Sequence, residues 1–295
     1  MTHTPETTAG QKVTFVGIGA IGLPMAAAVA AAGFEVTAVD FSERQRAAAA
    51  QRGLTAAADA SSAAEADAVI VMVATAGQLR SAALGEEGLL ARMRRGAALI
   101  VMSTVGPEAV RELEQPAAEH GVALLDVPVT GGIARAASGD LRLFVSGDPA
   151  AVEAQRALLE SMGTAVDAGA GVGRGQSYKA VNQLLCAVHI VAGAEALALA
   201  EKLGLDPAEA LEAVSGGAAG SFMLSDRGPR MLEGLDAKVA SAVSIFVKDA
   251  GLVSDIAETV GMEVPMLEAA KQKYLEAADA GLADRDDSQV IQTYR

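Results

Sequence analysis

The stretch VTFVGIGAIG (residues 13–22) decides the fold of the first half of the chain. A short apolar run leads into Gly17, Gly19 and Gly22, and an alanine-rich helical pattern follows directly. A second apolar run then ends in Asp40, eighteen residues beyond Gly22. A strand, this glycine spacing, a helix and an acidic residue at the end of the next strand together form the fingerprint of a dinucleotide site.

Each glycine has a separate physical task in such a site. Gly17 permits a tight turn, Gly19 lets the backbone approach the pyrophosphate, and Gly22 lets the helix pack on the strand. The phosphates would meet the N-terminus of the helix, where backbone N–H groups point outwards. A tight strand–helix turn without a ligand is the alternative interpretation. We assign the cofactor contacts of this loop to six consecutive residues: Gly17, Ile18, Gly19, Ala20, Ile21 and Gly22.

Asp40 bears on which dinucleotide is bound. A carboxylate at this position accepts hydrogen bonds from the ribose hydroxyls and repels a 2′-phosphate, which favours NAD over NADP. Arg44 and Arg46 lie close by in the sequence, and an arginine there can instead hold a 2′-phosphate. We expect both arginines to decorate the next helix, so the sequence predicts NAD, with NADP as the second choice.

Composition restricts the class of protein. The 295 residues are 51% hydrophobic and 20% charged, which indicates a globular chain with material for two ordinary domains. The formal net charge of −14 argues against nucleic acid or an anionic membrane as a partner. One cysteine and three scattered histidines predict neither a disulfide nor a metal site. No secretory signal pattern is present, and His189 and Glu195 interrupt the longest apolar run, so we expect a cytoplasmic protein.

Apolar runs alternate with alanine-rich helical stretches through the first half of the chain. Strands separated by helical crossovers form a parallel, doubly wound sheet that is covered on both faces. The predicted strands are 13–17, 35–40, 68–73, 98–103, 122–129 and 141–147. Helical patterns alone follow. The predicted fold is therefore α/β, a Rossmann-type sheet and then an all-α domain: a flexible tail at 1–11, an NAD-binding domain at 12–165, and a substrate and dimerisation domain at 166–295.

The segment GRGQSYKAVNQ (173–183) places a lysine where we expect a long helix to begin. Residues 180–203 are almost continuously apolar, so Lys179 is predicted near the first turn, where the helix macrodipole disfavours a cation. Asn182 follows three residues later and shares the same helix face. An amine and an amide side by side behind a glycine-rich loop indicate chemistry rather than a solubilising surface lysine.

Four stretches together carry a resemblance to a known family. They are FVGIGAIGLPMA (15–26), DVPVTGG (126–132), GRGQSYKAVNQ (173–183) and FVKDAGL (246–252). With them the chain resembles the β-hydroxyacid dehydrogenase family over nearly its whole length, apart from the N-terminal tail. Within that family it looks most like the L-threonate dehydrogenase branch, and the C-terminal DDSQVIQ is similar to the ending of that branch.

The resemblance implies roles for the residues that match the motifs of the family. Lys179 matches the catalytic lysine and Asn182 its substrate-binding partner. Thr130, Gly131 and Gly132 match the loop that holds the substrate carboxylate, with threonine where the family usually has serine. The remaining matches are positions that contact the cofactor: Val73, Ala74, Thr104 and Lys248.

Some of these residues also have a plainer interpretation. The segment 130–132 could be a strand-ending turn, although successive N–H groups there also form an anion-binding nest. Lys248 and Asp249 could be an exposed pair on a helix. We expect Asp126 to have a local structural role, and we give it no part in the chemistry.

Residues and resemblance together predict NAD-dependent oxidation of a small hydroxy acid, L-threonate-like or another β-hydroxy acid, by hydride transfer. Lys179 would be the general acid/base, since burial between the domains, the positive helix end and an oxidised nicotinamide all disfavour its ammonium form. The alternatives are a 3-hydroxyisobutyrate dehydrogenase, an imine reductase, which typically lacks this lysine, and a non-catalytic NAD-binding sensor. We expect a homodimer or homotetramer, because the helix at 181–203 is apolar around most of its circumference.

Overall fold

A computed structural model of the protein describes residues 10–295, so nearly all of the predicted tail at 1–11 lies outside the described residues. The chain divides into two compact units. The first runs up to Lys179 and the second is Ala180–Arg295.

A nine-stranded sheet forms the centre of the first unit. Its strands are β1 (Lys12–Val16), β2 (Glu35–Val39), β3 (Thr55–Ala57), β4 (Ala68–Val71), β5 (Ala98–Val101), β6 (Ala123–Asp126), β7 (Val129–Thr130), β8 (Leu141–Gly147) and β9 (Gly163–Gly169). The order is β3-β2-β1-β4-β5-β6-β8-β7, and β9 pairs with β8. All pairs from β3 to β6 are parallel, whereas β8 runs antiparallel to β6 and β7.

Helices cover both faces of this sheet. They are α1 (Gly22–Ala31), α2 (Glu43–Ala50), α3 (Ala76–Ala83), α4 (Leu89–Arg92), α5 (Pro107–Arg111), α6 (Glu114–His120), α7 (Gly132–Ser138), α8 (Pro149–Ala154) and α9 (Arg156–Glu160). Successive residues of a strand point to opposite faces, and Ile100 and Leu99 of β5 accordingly belong to separate apolar clusters. The predicted doubly wound fold is therefore confirmed.

The second unit is helical and has its own buried core. Its main helices are α10 (Arg174–Lys202, which begins in the first unit), α11 (Pro207–Ser215), α12 (Phe222–Glu233), α13 (Val243–Thr259) and α14 (Pro265–Ala277). Among the described residues, α10 alone has the length and apolarity to cross a membrane. However, 56% of its most apolar window is buried within the protein, which is typical of a core helix.

One strand prediction is wrong, and two strands, β3 and β9, were not predicted. The run at 122–129 forms two short strands, β6 and β7, because Pro128 has no N–H to donate and separates them. Strand β9 was not predicted, because only one of its seven residues is buried and it lacks an apolar pattern. The predicted domain boundary at 165/166 falls inside β9, whose sheet pairing extends to Gly169.

The long helix α10 begins at Arg174, six residues before its predicted start at 180. The glycines of this segment suggested a loop. Instead, two of the first backbone N–H groups find side-chain acceptors in the sheet: the Gly175 N–H donates to Ser146 Oγ (2.9 Å) and the Gln176 N–H to Asp126 Oδ2 (3.0 Å). Such partners satisfy donors that a helix N-terminus otherwise leaves without acceptors.

Candidate active site

The glycines of the loop after β1 differ in their surroundings. Gly17 has a φ of +90°, and a Cβ on it would lie 2.3 Å from the carbonyl oxygen of Met72. A Cβ on Gly22 would lie 2.1 Å from the carbonyl oxygen of Gly17. A Cβ on Gly19 would have no neighbour within 4 Å. Gly17 and Gly22 are thus required by packing, while Gly19 borders open space, as the approach of a pyrophosphate demands.

Asp40 is held in place at the end of β2. Its carboxylate accepts hydrogen bonds from the N–H of Ile18 (3.1 Å) and the N–H of Ser42 (2.8 Å). The Arg46 guanidinium donates to the carbonyl oxygens of Asp40 and Phe41, each at 2.8 Å, so it is occupied by the backbone. These contacts fix the carboxylate beside the glycine loop, where a ribose is bound in this fold.

Phe41 is an aromatic residue for which the sequence analysis predicts no role. It follows Asp40 directly and 95% of it is exposed. The available sequence signal was an aromatic residue directly after the acidic end of a predicted strand.

The predicted cofactor contacts after β4 and β5 lie at the same edge of the sheet as the glycine loop, because parallel strands end there together. The Val73 N–H donates to Ser103 Oγ at 2.7 Å, which joins the two strand ends. The Ala74 N–H donates to Gln78 Oε1 at 2.8 Å, at the start of α3. Thr104 lies between Ser103 and the next loop and is half-buried.

The loop predicted to hold the substrate carboxylate has a conformation that only glycine adopts readily. Thr130 ends β7, paired with Arg142 of β8. Gly131 and Gly132 follow with φ of +140° and +74°. A Cβ on Gly132 would have no neighbour within 4 Å. The loop leads into α7, which was not predicted from the sequence, since its alanines and glycines give no helical period.

Lys179 is buried, with 7% of its surface exposed. It is the sixth residue of α10, one turn beyond its predicted position, and Asn182 follows three residues later on the same helix. The macrodipole effect falls off within the first turn of a helix. The predicted place of Lys179 in the first turn is therefore wrong, and the helix end has little influence on its side chain.

A buried polar cluster that the sequence analysis did not connect lies directly before Lys179. We call it the Gln176 cluster; its members are Ser103, Asp126, Ser146 and Gln176, all 2% exposed or less. Burial raises the pKa of the Asp126 carboxyl, and hydrogen bonds from Gln176 and Ser146 oppose that rise. A carboxyl group at the end of an apolar strand was the available signal for this cluster.

In the second unit, a chain of side chains connects Asn182 to Lys248. The Asn182 amide donates to Gln183 Oε1 at 2.8 Å, and Gln183 Nε2 donates to Asp249 Oδ2 at 2.5 Å. Lys248 Nζ lies 2.8 Å from Asp249 Oδ1. Asp249 is 3% exposed, so the interpretation of Lys248 and Asp249 as an exposed surface pair is wrong.

Comparison with known proteins agrees with this architecture. Residues 12–171 match a family model described as the NAD binding domain of 6-phosphogluconate dehydrogenase. Residues 173–294 match a model described as NAD-binding of NADP-dependent 3-hydroxyisobutyrate dehydrogenase. An L-threonate dehydrogenase of Cupriavidus necator is 37% identical over 96% of both chains.

Two solved structures are similar over nearly the whole chain. A 3-hydroxyisobutyrate dehydrogenase from Salmonella typhimurium has a TM-score of 0.88 and 32% identity, with 96% of this chain and 99% of the other covered. A Mycobacterium tuberculosis 3-hydroxyisobutyrate dehydrogenase with L-serine has a TM-score of 0.85 and 32% identity, with 97% and 99% covered.

These matches define the class of protein. It is an NAD(P)-dependent oxidoreductase that acts on hydroxy acids. The chain belongs to the 6-phosphogluconate dehydrogenase-like β-hydroxyacid dehydrogenase family, as its four sequence motifs predict, and it is similar throughout to L-threonate dehydrogenases.

Proposed function

We propose that the protein oxidises a small hydroxy acid of the L-threonate type with NAD, and that Lys179 is its general acid/base. The observation that carries this proposal is the burial of Lys179, which is 7% exposed on the helix that starts against the carboxyl edge of the NAD-binding sheet. Burial disfavours the charged form of an amine, as a general acid/base working near neutral pH requires. The similarity to L-threonate dehydrogenases supports the choice of substrate.

The proposed chemistry divides between the cofactor and the residues of this chain. NAD, which the glycine loop at 17–22 and Asp40 would hold, would supply the acceptor for the hydride of the carbinol carbon. Lys179 in its neutral form takes the hydroxyl proton, so that a carbonyl group results, and its ammonium form returns a proton in the reverse direction. Asn182 orients the hydroxyl, and the N–H groups at Gly131 and Gly132 bind the carboxylate, which holds the reacting carbon in place.

The preference for NAD rests on Asp40. Its carboxylate, fixed by the N–H groups of Ile18 and Ser42, would lie where a 2′-phosphate has to be accommodated. Arg46 is bound to backbone carbonyls, and Arg44 is exposed on α2. We therefore propose NAD as the working cofactor and the cytoplasm, where this cofactor is plentiful, as the location.

We also propose that the protein forms at least a homodimer through α10. Val181, Leu185, Leu199 and Leu203 are all exposed. Because 18 residues make five helical turns, the first pair and the second pair lie on one face. Two exposed apolar pairs on one helix face, with Glu195 between them, are consistent with an interface that has a polar contact at its middle. Light scattering at micromolar protein concentration should give at least twice the chain mass of 29.7 kDa; a monomer mass would contradict the proposal.

A substrate panel tests the proposed function. L-threonate, 3-hydroxyisobutyrate and L-serine are compared with NAD and with NADP, and a cyclic imine is tested with the reduced cofactors. We expect kcat/KM for L-threonate with NAD to exceed every other combination by about tenfold or more, a difference of roughly 1.4 kcal/mol. A preference for 3-hydroxyisobutyrate would establish the alternative substrate, and reduction of the imine would contradict the assigned chemistry.

A further inference from the structure

The strongest unexplained feature of the first unit is the Gln176 cluster. Gln176 Oε1 accepts hydrogen bonds from the N–H groups of Val105 and Gly106, both at 3.0 Å. These two donors fix the orientation of the amide, so its nitrogen must face the opposite side. There, Nε2 donates to the carbonyl oxygen of Ser103 and to Asp126 Oδ1, both at 2.9 Å. Every donor and acceptor of this amide is thus matched.

Asp126 is the hydrogen-bond acceptor of the Gln176 cluster. Besides the amide of Gln176, it accepts from the backbone N–H of the same residue at Oδ2 (3.0 Å) and from Ser146 Oγ (3.1 Å). Ser146 Oγ in turn accepts from the Gly175 N–H. Because donors face both carboxylate oxygens, a side chain that carries its own amide hydrogens cannot replace Asp126 without opposing one of them.

The helix start approaches the sheet too closely for any side chain at Gly175. A Cβ there would lie 2.5 Å from the carbonyl oxygen of Phe144 and 2.7 Å from that of Asp126. The start of α10 is therefore seated directly on the strand ends, and the Gln176 cluster fixes its rotation and register.

Two predicted cofactor contacts and the proposed acid/base lie one step from this cluster. Val73 donates its N–H to Ser103 Oγ, and Thr104 lies between Ser103 and Val105, both of which are bound within the cluster. Lys179 lies three residues after Gln176, on the same face of α10. One buried amide thus connects the cofactor edge of the sheet with the helix that presents the lysine.

We propose that Gln176 and Asp126 are positioning residues, whose hydrogen bonds set the helix that carries Lys179 in register with the loop that carries Thr104. This inference rests on the proposed role of Lys179. It assigns no contact with the substrate to either residue. Displacements of about 1 Å at an active site can reduce turnover by 10², so a loosened register is expected to lower kcat more than it raises KM.

The sharpest test exchanges the hydrogen-bond donor and acceptor between Gln176 and Asp126. Gln176→Glu places a carboxylate oxygen against Asp126 Oδ1, and Asp126→Asn places amide hydrogens against those of Gln176 or its backbone N–H. In the double variant, the new amide at position 126 donates to the new carboxylate at position 176 and accepts from the backbone N–H. The bond between the two side chains is thus restored with reversed polarity, while the Ser103 carbonyl oxygen stays without its donor, so the rescue is partial. We expect each single variant to lose kcat by about 10- to 100-fold and the double variant to regain about tenfold over Gln176→Glu.

Gln155 offers a matched control, since it is a buried glutamine of the same unit that binds the side chain of Gln11 and lies outside the cluster. Gln155→Met should keep the wild-type kcat. All rates are measured at least 20 °C below the melting temperature of each variant, with whichever hydroxy acid the wild type oxidises fastest. A structural role alone would change melting temperature but not kcat under these conditions.

Hydrogen exchange gives a readout that is independent of turnover and of the role of Lys179. In the free enzyme, Gln176→Met should accelerate exchange in peptides that contain residues 104–106 and 174–180 by about tenfold, whereas Gln155→Met should not. If Lys179 proves dispensable, these exchange rates and the rescue by the double variant still decide the inference. Unchanged exchange together with kcat within twofold of wild type would overturn it, as would a double variant no better than the singles. If Gln176→Met does not fold, the isosteric Gln176→Glu replaces it in the exchange experiment.

Discussion

The two units of the chain hold their predicted site residues in position by different means. In the unit up to Lys179, backbone conformations do much of this: Gly17 and Gly131 have φ of +90° and +140°. In Ala180–Arg295, side chains hold one another, and the bond between Gln183 and Asp249 joins residues 66 positions apart. A turn that only glycine can adopt is recognisable in the sequence, whereas a hydrogen-bonded pair of side chains on two distant helices is not.

The largest expected effect concerns the glycine loop. Gly22→Ala would place a methyl group 2.1 Å from the carbonyl oxygen of Gly17. Overpacking against backbone cannot be relieved by a side-chain movement, so we expect the unfolding free energy to fall by about 3 kcal/mol or more. Urea unfolding monitored by circular dichroism measures this.

Gly19→Ala is the matched control for that variant. Its methyl group would meet nothing within 4 Å, so stability should stay within about 0.5 kcal/mol of wild type. NAD affinity, measured by calorimetry, should nevertheless fall, because the added group occupies the space that the pyrophosphate needs. If Gly19→Ala binds NAD as the wild type does, the loop is a turn and not a phosphate site.

The next largest effect lies in the helical unit. Gln183→Leu removes a hydrogen bond to the buried Asp249 carboxylate, and an unsatisfied buried group costs about 1–3 kcal/mol. The double variant Gln183→Leu/Asp249→Leu removes both groups and should be less destabilised than the single one. Urea unfolding of both variants compares them. Additive losses would show that these two residues do not act as a pair.

Most of the first unit was predictable because its signals are local. The glycine spacing at 17–22, the acidic end of β2 and the alternation of apolar runs with helices all follow from short-range backbone requirements. Strand β9 was not predictable, since an exposed strand that depends on its neighbour has no apolar period.

The long-range part of the candidate site was predictable only in outline. The resemblance to the family singled out Lys179 and Lys248, but not the buried groups that hold them. Gln176 and Asp126 are 50 positions apart in the sequence, and only the fold brings them together. For the same reason, the early start of α10 could not be foreseen, because its acceptors lie on strands far away in the sequence.

A substitution at Asp40 should change the preference between NAD and NADP by less free energy than the substitutions above change stability. Asp40→Ala removes the carboxylate that repels a 2′-phosphate, so the ratio of kcat/KM for NAD to that for NADP should fall about tenfold, or roughly 1.4 kcal/mol. Arg44→Ala serves as the control and should leave the ratio unchanged, since Arg44 is exposed on α2. A wild-type preference for NADP of tenfold or more would show that a nearby arginine outweighs Asp40.

The smallest effect is a pH dependence from Asp126. Burial raises the pKa of this carboxyl above its ordinary value of 3.8, so the folded protein holds the proton more tightly than the unfolded chain. This pKa difference contributes fully to the free energy of unfolding at pH values below the ordinary pKa. The contribution is lost as the pH rises through the raised pKa of the folded protein. The stability of wild type relative to Asp126→Asn should therefore fall from about pH 4 upwards. Urea unfolding across this range checks it, and a difference that rises with pH would contradict the assignment.

The proposed role of Lys179 is tested most directly by the turnover of Lys179→Met, with NAD binding measured on the same sample. Methionine fills similar space without an amine, so the fold should survive. We expect NAD affinity within about threefold of wild type and a kcat lower by about 10²–10⁴, the usual size of a general acid/base contribution. Lys179→Arg should fail nearly as badly, because a guanidinium stays protonated. If Lys179→Met binds NAD normally and keeps more than about a tenth of the wild-type kcat, Lys179 is not the acid/base group.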